Sequence, residues 1–375
     1  MRIAIFIKNT IYHGKYGGLE TQNENLVQGL REAGHDVIVF APASELSVSG
    51  YIFVPRTTPG KYDEAWWQKS LAAFESLHAV KPFDIVISQS AAGAEIIKNK
   101  ERLHVKTIVV AHGTIWGEVK TVLRKTKSFK DIYFAFKAVA FGLKTYSGLD
   151  RKYLLSADHI IAVSQAVKKA LTQEFPLRND HITVISNGID IYKYIIADET
   201  KVPVNFLYLG RLEKEKGLEL LLMAFKNVLE KEPTATLTIV GSGPFKLQAS
   251  DSITILGAVD YKDVPRILAS ASVFVLPTLR HEGLPMTLVE AAASGLPLVA
   301  SDMGGIKEIV RDGVNGFLLK SGDASVLSET LVKLAKDPEL RHTLGQASRQ
   351  IAEAEFSLEI MIINYIKVIK FICGS

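Results

Sequence analysis

The stretch VNFLYLGRLEKEKGLELLLMAFKNVLEKEPTATLTIVGSGP, residues 204–244, decides the fold. It opens on a continuous apolar run closed by Gly210. It then places Leu218, Leu221, Leu222, Phe225, Val228 and Leu229 at helical spacing on one face, and it ends in a second apolar run, ATLTIVG. A short buried run, an amphipathic helix and another short buried run make a βαβ unit, whose two strands must be parallel. Strands that read as unbroken apolar runs are covered on both faces, so a doubly wound α/β sheet is expected.

The same alternation extends outward in both directions. Upstream lie RIAIFI, LETQNENLVQGLREAG, DVIVFA, DIVISQ, VKTIVVAH, HIIAVS and ITVIS; downstream lie SITILG, SVFVLP and LPLVAS. At 375 residues the chain suits two such domains. Between them, ISNGIDIYKYIIADETKVPV (185–204) starts on an Asn-Gly turn and carries a polar stretch before Pro203, where a hinge is expected. The boundaries drawn are 1–190 and 191–355, with a helix over 356–373 packing back on the first domain, and the two domains are expected to face each other across a cleft.

Composition excludes several classes. With 47% apolar and 22% charged residues the chain is neither disordered nor collagenous. Its one cysteine, Cys373, excludes an intrachain disulfide and favours a reducing, cytoplasmic setting. MRIAIFIKN has an apolar run of only five residues before Lys8, which suits a first strand better than a signal peptide. IYFAFKAVAFGL (132–143) comes nearest to a membrane span but is far shorter than the roughly 20 residues needed and is broken by Lys137.

The net charge of +4 is unevenly spread: residues 1–190 hold 24 Lys and Arg against 18 Asp and Glu, and residues 112–153 hold nine against three. Lys120, Arg124, Lys125, Lys127 and Lys130 precede Phe134, Phe136, Val139, Phe141 and Leu143. Basic and apolar groups together, without the length to span, suit a helix in an anionic membrane interface; the same residues also suit a core helix beside a solvated loop, or a groove for an anionic sugar. A patch this local gives no reason to expect nucleic acid as a partner.

In doubly wound sheets, ligands bind beyond the carboxyl ends of the strands, beside helix N-termini. Four loops fit that place. GKYGGLETQ carries Gly17 and Gly18 after the first strand. GRLEKEKG puts Arg211 and Lys216 before a helix start, where cations oppose the helix dipole unless an anion, or Glu213 and Glu215, balances them. IVGSGP carries Gly241 and suits either a nucleotide pocket or a plain turn. RHEGLPMTLVEAAASGLPLVAS (280–301) holds Glu282 in the loop and Glu290 inside a nearly chargeless helix, where a carboxylate needs a partner: vicinal sugar hydroxyls, or an internal salt bridge.

These segments, with SADHIIAVSQAVKKAL and VISNGID, resemble the retaining glycosyltransferases of family four, which have GT-B architecture; the resemblance runs from the first strand to the final helix. It implies that Glu282, the first acid of the E-x7-E pattern, holds hydroxyls of the transferred sugar and that Glu290 holds the ribose. Arg211 and Lys216 would take the diphosphate, helped by N–H groups around Met286 and Thr287, with Gly17, Gly18, Gly241, Gly283 and Leu284 lining the nucleotide sugar. His112, at the end of VVAH, matches the histidine that faces sugar and acceptor. Pro285 stands where many relatives have glycine and removes one N–H; Ser186 replaces a common proline.

The partners implied are a nucleotide-sugar donor and a glycan or lipid-linked acceptor, with no other cofactor. No Asp-x-Asp occurs, so fixed cations are expected to replace a metal. Two alternatives stay open: a nucleotide-sugar epimerase of the same fold and a nucleotide-binding protein without turnover. A dinucleotide oxidoreductase is disfavoured because KNTIYHGKYGGLE lacks the G-x-G-x-x-G spacing.

Overall fold

The computed structural model describes residues 1–14, 17–114, 151–198 and 202–374, together with Trp116, Gly117, Val119, Thr121, Lys137, Val139 and Ala140. It divides into two units: Met1–Gly188 with Leu358–Ser375, and Ile189–Ser357.

In the first unit the apolar runs form β1 (Arg2–Phe6), β2 (Asp36–Pro42), β3 (Tyr51–Val54), β4 (Ile85–Gln89), β5 (Lys106–Ala111), β6 (His159–Ala162) and β7 (Ile182–Val184). They lie in the order β3-β2-β1-β4-β5-β6-β7, every pair parallel. One face of this sheet packs on an aromatic cluster in which Phe6 stacks on Phe40 with centroids 4.6 Å apart, beside Phe74, Phe83 and Trp66. The helix Gly18–Glu32 packs against the helix Leu358–Cys373. Gly29 makes that approach possible, because a Cβ there would fall 2.4 Å from Ile362 Cγ1. The Gly188 N–H donates to Met361 Sδ at 3.1 Å, so the chain leaves the unit against this same returning helix.

The second unit holds β8 (Asn205–Leu209), β9 (Thr236–Val240), β10 (Ile253–Gly257), β11 (Val273–Leu276), β12 (Leu298–Ser301) and β13 (Gly316–Leu319), all parallel, in the order β10-β9-β8-β11-β12-β13. On the helix Leu218–Lys231 the buried positions are Leu218, Leu221, Ala224, Phe225 and Val228; Leu222 and Leu229 flank that stripe, half-buried. Two strands go beyond the sequence expectation, β3 and β13. Each is a four-residue edge strand with half of its residues or more only partly buried, although YIFV and GFLL are apolar runs as long as those of β6, β11 and β12.

Each sheet is wound outward in both directions from its first strand, so the winding reverses between β1 and β4 in one and between β8 and β11 in the other. At such a reversal the loops leaving two adjacent strands diverge and open a crevice. The loops singled out from sequence leave β1, β8, β9 and β11.

Candidate functional site

The loops beyond β8, β9, β11 and β12 are tied backbone to backbone. The Leu279 N–H donates to Glu215 O at 2.7 Å, Gly305 N–H to Glu282 O at 2.9 Å and Leu212 N–H to Ser242 O at 2.9 Å. Such contact leaves no room for side chains at several glycines, Gly217 and Gly241 most tightly. Gly217 (φ 77°) would place a Cβ 1.8 Å from Pro277 O, and Gly241 (φ 138°) would place one 1.8 Å from Gly210 O. Both therefore have a packing reason to be glycine.

On this frame the β8 and β11 loops bring Lys216 and Glu282 together. Lys216 Nζ donates to Glu282 Oε1 at 2.7 Å, with side chains only 13% and 11% exposed. Thr278 Oγ1 lies 3.0 Å from the same carboxylate oxygen. The partner of Lys216 is thus Glu282, 66 positions away, and not the neighbouring Glu215. Arg211 behaves as the plainer alternative foresaw: its guanidinium pairs with Glu213 at 2.8 Å and is 59% exposed.

Next to the pair the helix Met286–Ala293 begins, with Pro285 as its N-cap and no side chain capping it. First-turn N–H groups have no acceptor within their own helix and carry partial positive charge, so those of Met286 and Thr287 suit an anion. Leu284 and Met286 are buried, whereas Gly283 and Thr287 are partly accessible.

Glu290, one helical turn further in, is 3% exposed, and burial pushes its carboxyl up to about 7. Its protein partners are not a cation but two hydroxyls, those of Tyr194 and Tyr261, which pull its pKa the other way. Those hydroxyls lie 2.7 Å from each other, and burial beside Glu290 raises the Tyr194 pKa. Arg349 fixes the arrangement: its guanidinium donates to the carbonyls of Ile191, Tyr194 and Ala293, the last in the final turn of the Glu290 helix. Neither tyrosine was marked in the sequence, because they come from segments 67 positions apart.

In the first unit Gly17 is the N-cap of the helix Gly18–Glu32, and its N–H donates to Glu20 Oε2 at 2.8 Å. His112, just past β5, is partly accessible. Its Nε2 lies 2.7 Å from Gln89 Oε1, and its pKa is pushed down to about 4 by burial and by the charge of Lys8.

Most of the basic and aromatic run 119–156, including Lys120, Arg124, Lys125, Lys127, Lys130, Phe134, Phe136, Phe141 and Leu143, lies outside the described residues. Among the described residues no helix is long and apolar enough to cross a membrane, and no three His, Cys, Asp or Glu side chains gather as metal ligands.

Two family models match the chain: one described as Glycosyltransferase Family 4 over residues 16–193, the other as Glycosyl transferases group 1 over residues 197–351. An uncharacterised glycosyltransferase of Methanocaldococcus jannaschii is 25% identical over 96% of this chain and 98% of its own length. A GDP-mannose-dependent monoacylated alpha-(1-6)-phosphatidylinositol monomannoside mannosyltransferase of Corynebacterium glutamicum is 36% identical over 40% of this chain and 43% of its own. Among solved structures, Anabaena HepE in complex with UDP and glucose aligns with a TM-score of 0.74 at 18% identity, covering 98% of this chain and 99% of that one. The two parallel-sheet domains match the GT-B architecture expected from the sequence.

Proposed function

This chain belongs to the glycosyltransferases that both models describe, and from that premise we propose that it transfers a sugar from a nucleoside-diphosphate sugar to a hydroxyl of a glycan or lipid-linked acceptor, retaining the anomeric configuration and using no metal ion. The observation that carries this reading is the Lys216–Glu282 pair, held at the strand reversal beside the N-terminus of the helix Met286–Ala293.

In the reaction the bond between the anomeric carbon and the diphosphate oxygen breaks and its electron pair leaves with the diphosphate. The acceptor oxygen bonds the same carbon, and its proton passes to the departing phosphate. Negative charge grows on the leaving group, and preorganised donors that face it lower the barrier most. Lys216 and the first-turn N–H groups of Met286 and Thr287 supply such donors, with Arg211 free to swing from its exposed pair with Glu213.

As a diphosphate takes Lys216, Glu282 loses its cation and gains sugar hydroxyls in exchange. Glu290 would accept from the ribose hydroxyls in place of Tyr194 and Tyr261, whose hydroxyls already occupy it. His112 would meet the sugar from the first unit. The relative that acts on a phosphatidylinositol mannoside supports a glycolipid acceptor, and the basic, aromatic run 119–156 supports peripheral contact with an anionic membrane at the cytoplasmic face.

The test is to incubate the purified protein with UDP-, GDP- and ADP-sugars and to measure nucleoside diphosphate release with and without candidate acceptors. Release from one donor class, lost in Glu282→Gln, is the expected result. Nucleotide binding with no release from any donor, under any acceptor, would refute it.

A further inference from the structure

His112 is the terminus of a buried hydrogen-bond chain. Gln89, the last residue of β4, is fully buried, and its Oε1 lies 2.7 Å from His112 Nε2. On its other side Gln89 Nε2 donates to Asn23 Oδ1 at 3.0 Å, and Asn23, on the helix Gly18–Glu32, is 1% exposed. These three residues come from the helix after β1, the end of β4 and the end of β5, and they meet where the winding of the first sheet reverses.

The turn that presents Gln89 is held from several directions. Tyr62 donates to Gln89 O at 3.0 Å, Trp66 Nε1 to Ala92 O at 2.8 Å and Trp67 Nε1 to Ala91 O at 3.0 Å. Ser88 Oγ both donates to Ser90 O and accepts from Gly93 N–H, each at 2.7 Å. Within it Ser90 sits at φ 52°, a left-handed backbone that a non-glycine residue keeps only where its surroundings impose it.

An amide has one acceptor end and one donor end. In the arrangement observed, Gln89 turns its donor end to Asn23 and its oxygen to His112, so the imidazole carries its proton on Nε2. Gln89 is the one hydrogen-bond partner of the ring among the described residues, which leaves Nδ1 as a bare acceptor. We propose that Gln89, fixed by Asn23, is a positioning residue that locks His112 as the neutral Nε2–H tautomer, so that Nδ1 accepts a hydrogen bond from a hydroxyl of the bound sugar or acceptor. The depressed pKa agrees, keeping the ring neutral across the working range.

This rests on His112 meeting the sugar, so the experiment separates the two. In wild-type protein labelled with 15N-histidine, with the His112 signal assigned through His112→Asn, the ring is expected as a single neutral Nε2–H tautomer from pH 6 to 8. A predominantly Nδ1–H ring, or a mixture, overturns the proposal whatever the kinetics.

Gln89→Leu is expected to give a tautomer mixture and a roughly 10- to 100-fold lower kcat at nearly unchanged donor KM, in the range of general positioning effects. Gln89→Glu keeps an acceptor at Nε2 but adds a charge that raises the imidazole pKa. Its activity should therefore fall as pH drops through that new value, a limb the wild type lacks. Wild-type kcat in Gln89→Leu, with His112→Ala inactive, overturns the lock while leaving His112 in the site. Full activity in His112→Ala overturns both.

Discussion

Replacing Lys216 by Ala should unsettle the second unit before any substrate is added. The change removes an ammonium 2.7 Å from a carboxylate only 11% exposed and leaves Glu282 Oε1 with the neutral hydroxyl of Thr278. Taking one partner from a buried ion pair costs about 3–5 kcal/mol. The residual exposure of both groups puts the lower end, about 3 kcal/mol, in play. The unit Ile189–Ser357 has 169 residues. At about 2.1 cal/mol/K per residue of unfolding entropy, that loss lowers Tm by about 8 °C.

Calorimetry at low salt reads the shift, and Glu282→Gln together with Lys216→Ala should recover most of it because the uncompensated charge is gone. The double-mutant cycle then gives a coupling above about 1 kcal/mol. A nucleoside diphosphate should raise Tm in the wild type and much less in Lys216→Ala. A Tm within about 2 °C of wild type in Lys216→Ala, or a coupling near zero, would show that solvent screens the pair, and the exchange of Glu282 for phosphate at Lys216 would lose its physical basis.

Glu290 makes a second prediction. Its folded pKa of about 7 lies above the ordinary carboxylate value, so between roughly pH 4.3 and 7 the folded state holds a proton that the unfolded chain has released. Stability must fall as pH rises across that window and level off above it, by up to about 3–4 kcal/mol, and Glu290→Gln should flatten the profile. Thermal melts at pH 5 and pH 8 decide it, and a flat wild-type profile defeats the argument. The same variant should bind nucleotide about 10- to 150-fold more weakly if the carboxylate holds the ribose, as isothermal titration would register. Transfer activity should survive excess chelator; complete loss restored by a divalent ion would overturn metal independence. Co-sedimentation with anionic vesicles should weaken with salt and when Lys125, Lys127 and Lys130 are changed together to Glu, and no binding at low salt would remove the membrane contact.

Most strands of both sheets, the edge strands β7 and β10 included, were legible because each is an apolar run beside a turn; β3 and β13 carry the same signal in YIFV and GFLL, so they too were legible in principle. At the site the residue types were legible and the pairings were not. Lys216 and Glu282 meet only because β8 and β11 are neighbours, a fact of sheet order with no trace in local spacing. Glu290 announced a need for hydroxyl partners, yet nothing in its vicinity pointed to Tyr194 and Tyr261. Gln89 did leave a signal, a polar residue closing the apolar run IVIS at a strand's carboxyl end, and it passed unmarked since a chain terminating strands this way is common.

The returning helix Leu358–Cys373 has a bearing on biosynthesis. Its counterpart, the helix Gly18–Glu32 with the cleared surface at Gly29, leaves the ribosome early, while the segment that covers it follows only after the whole of Ile189–Ser357. At about 5–20 residues per second the roughly 330 residues between them take on the order of 15–65 s. For that interval the surface at Gly29 lacks Ile362, the side chain that closes over it in the finished fold. The usual vectorial order is thereby inverted: the second unit is synthesised whole before the first receives the helix that completes it.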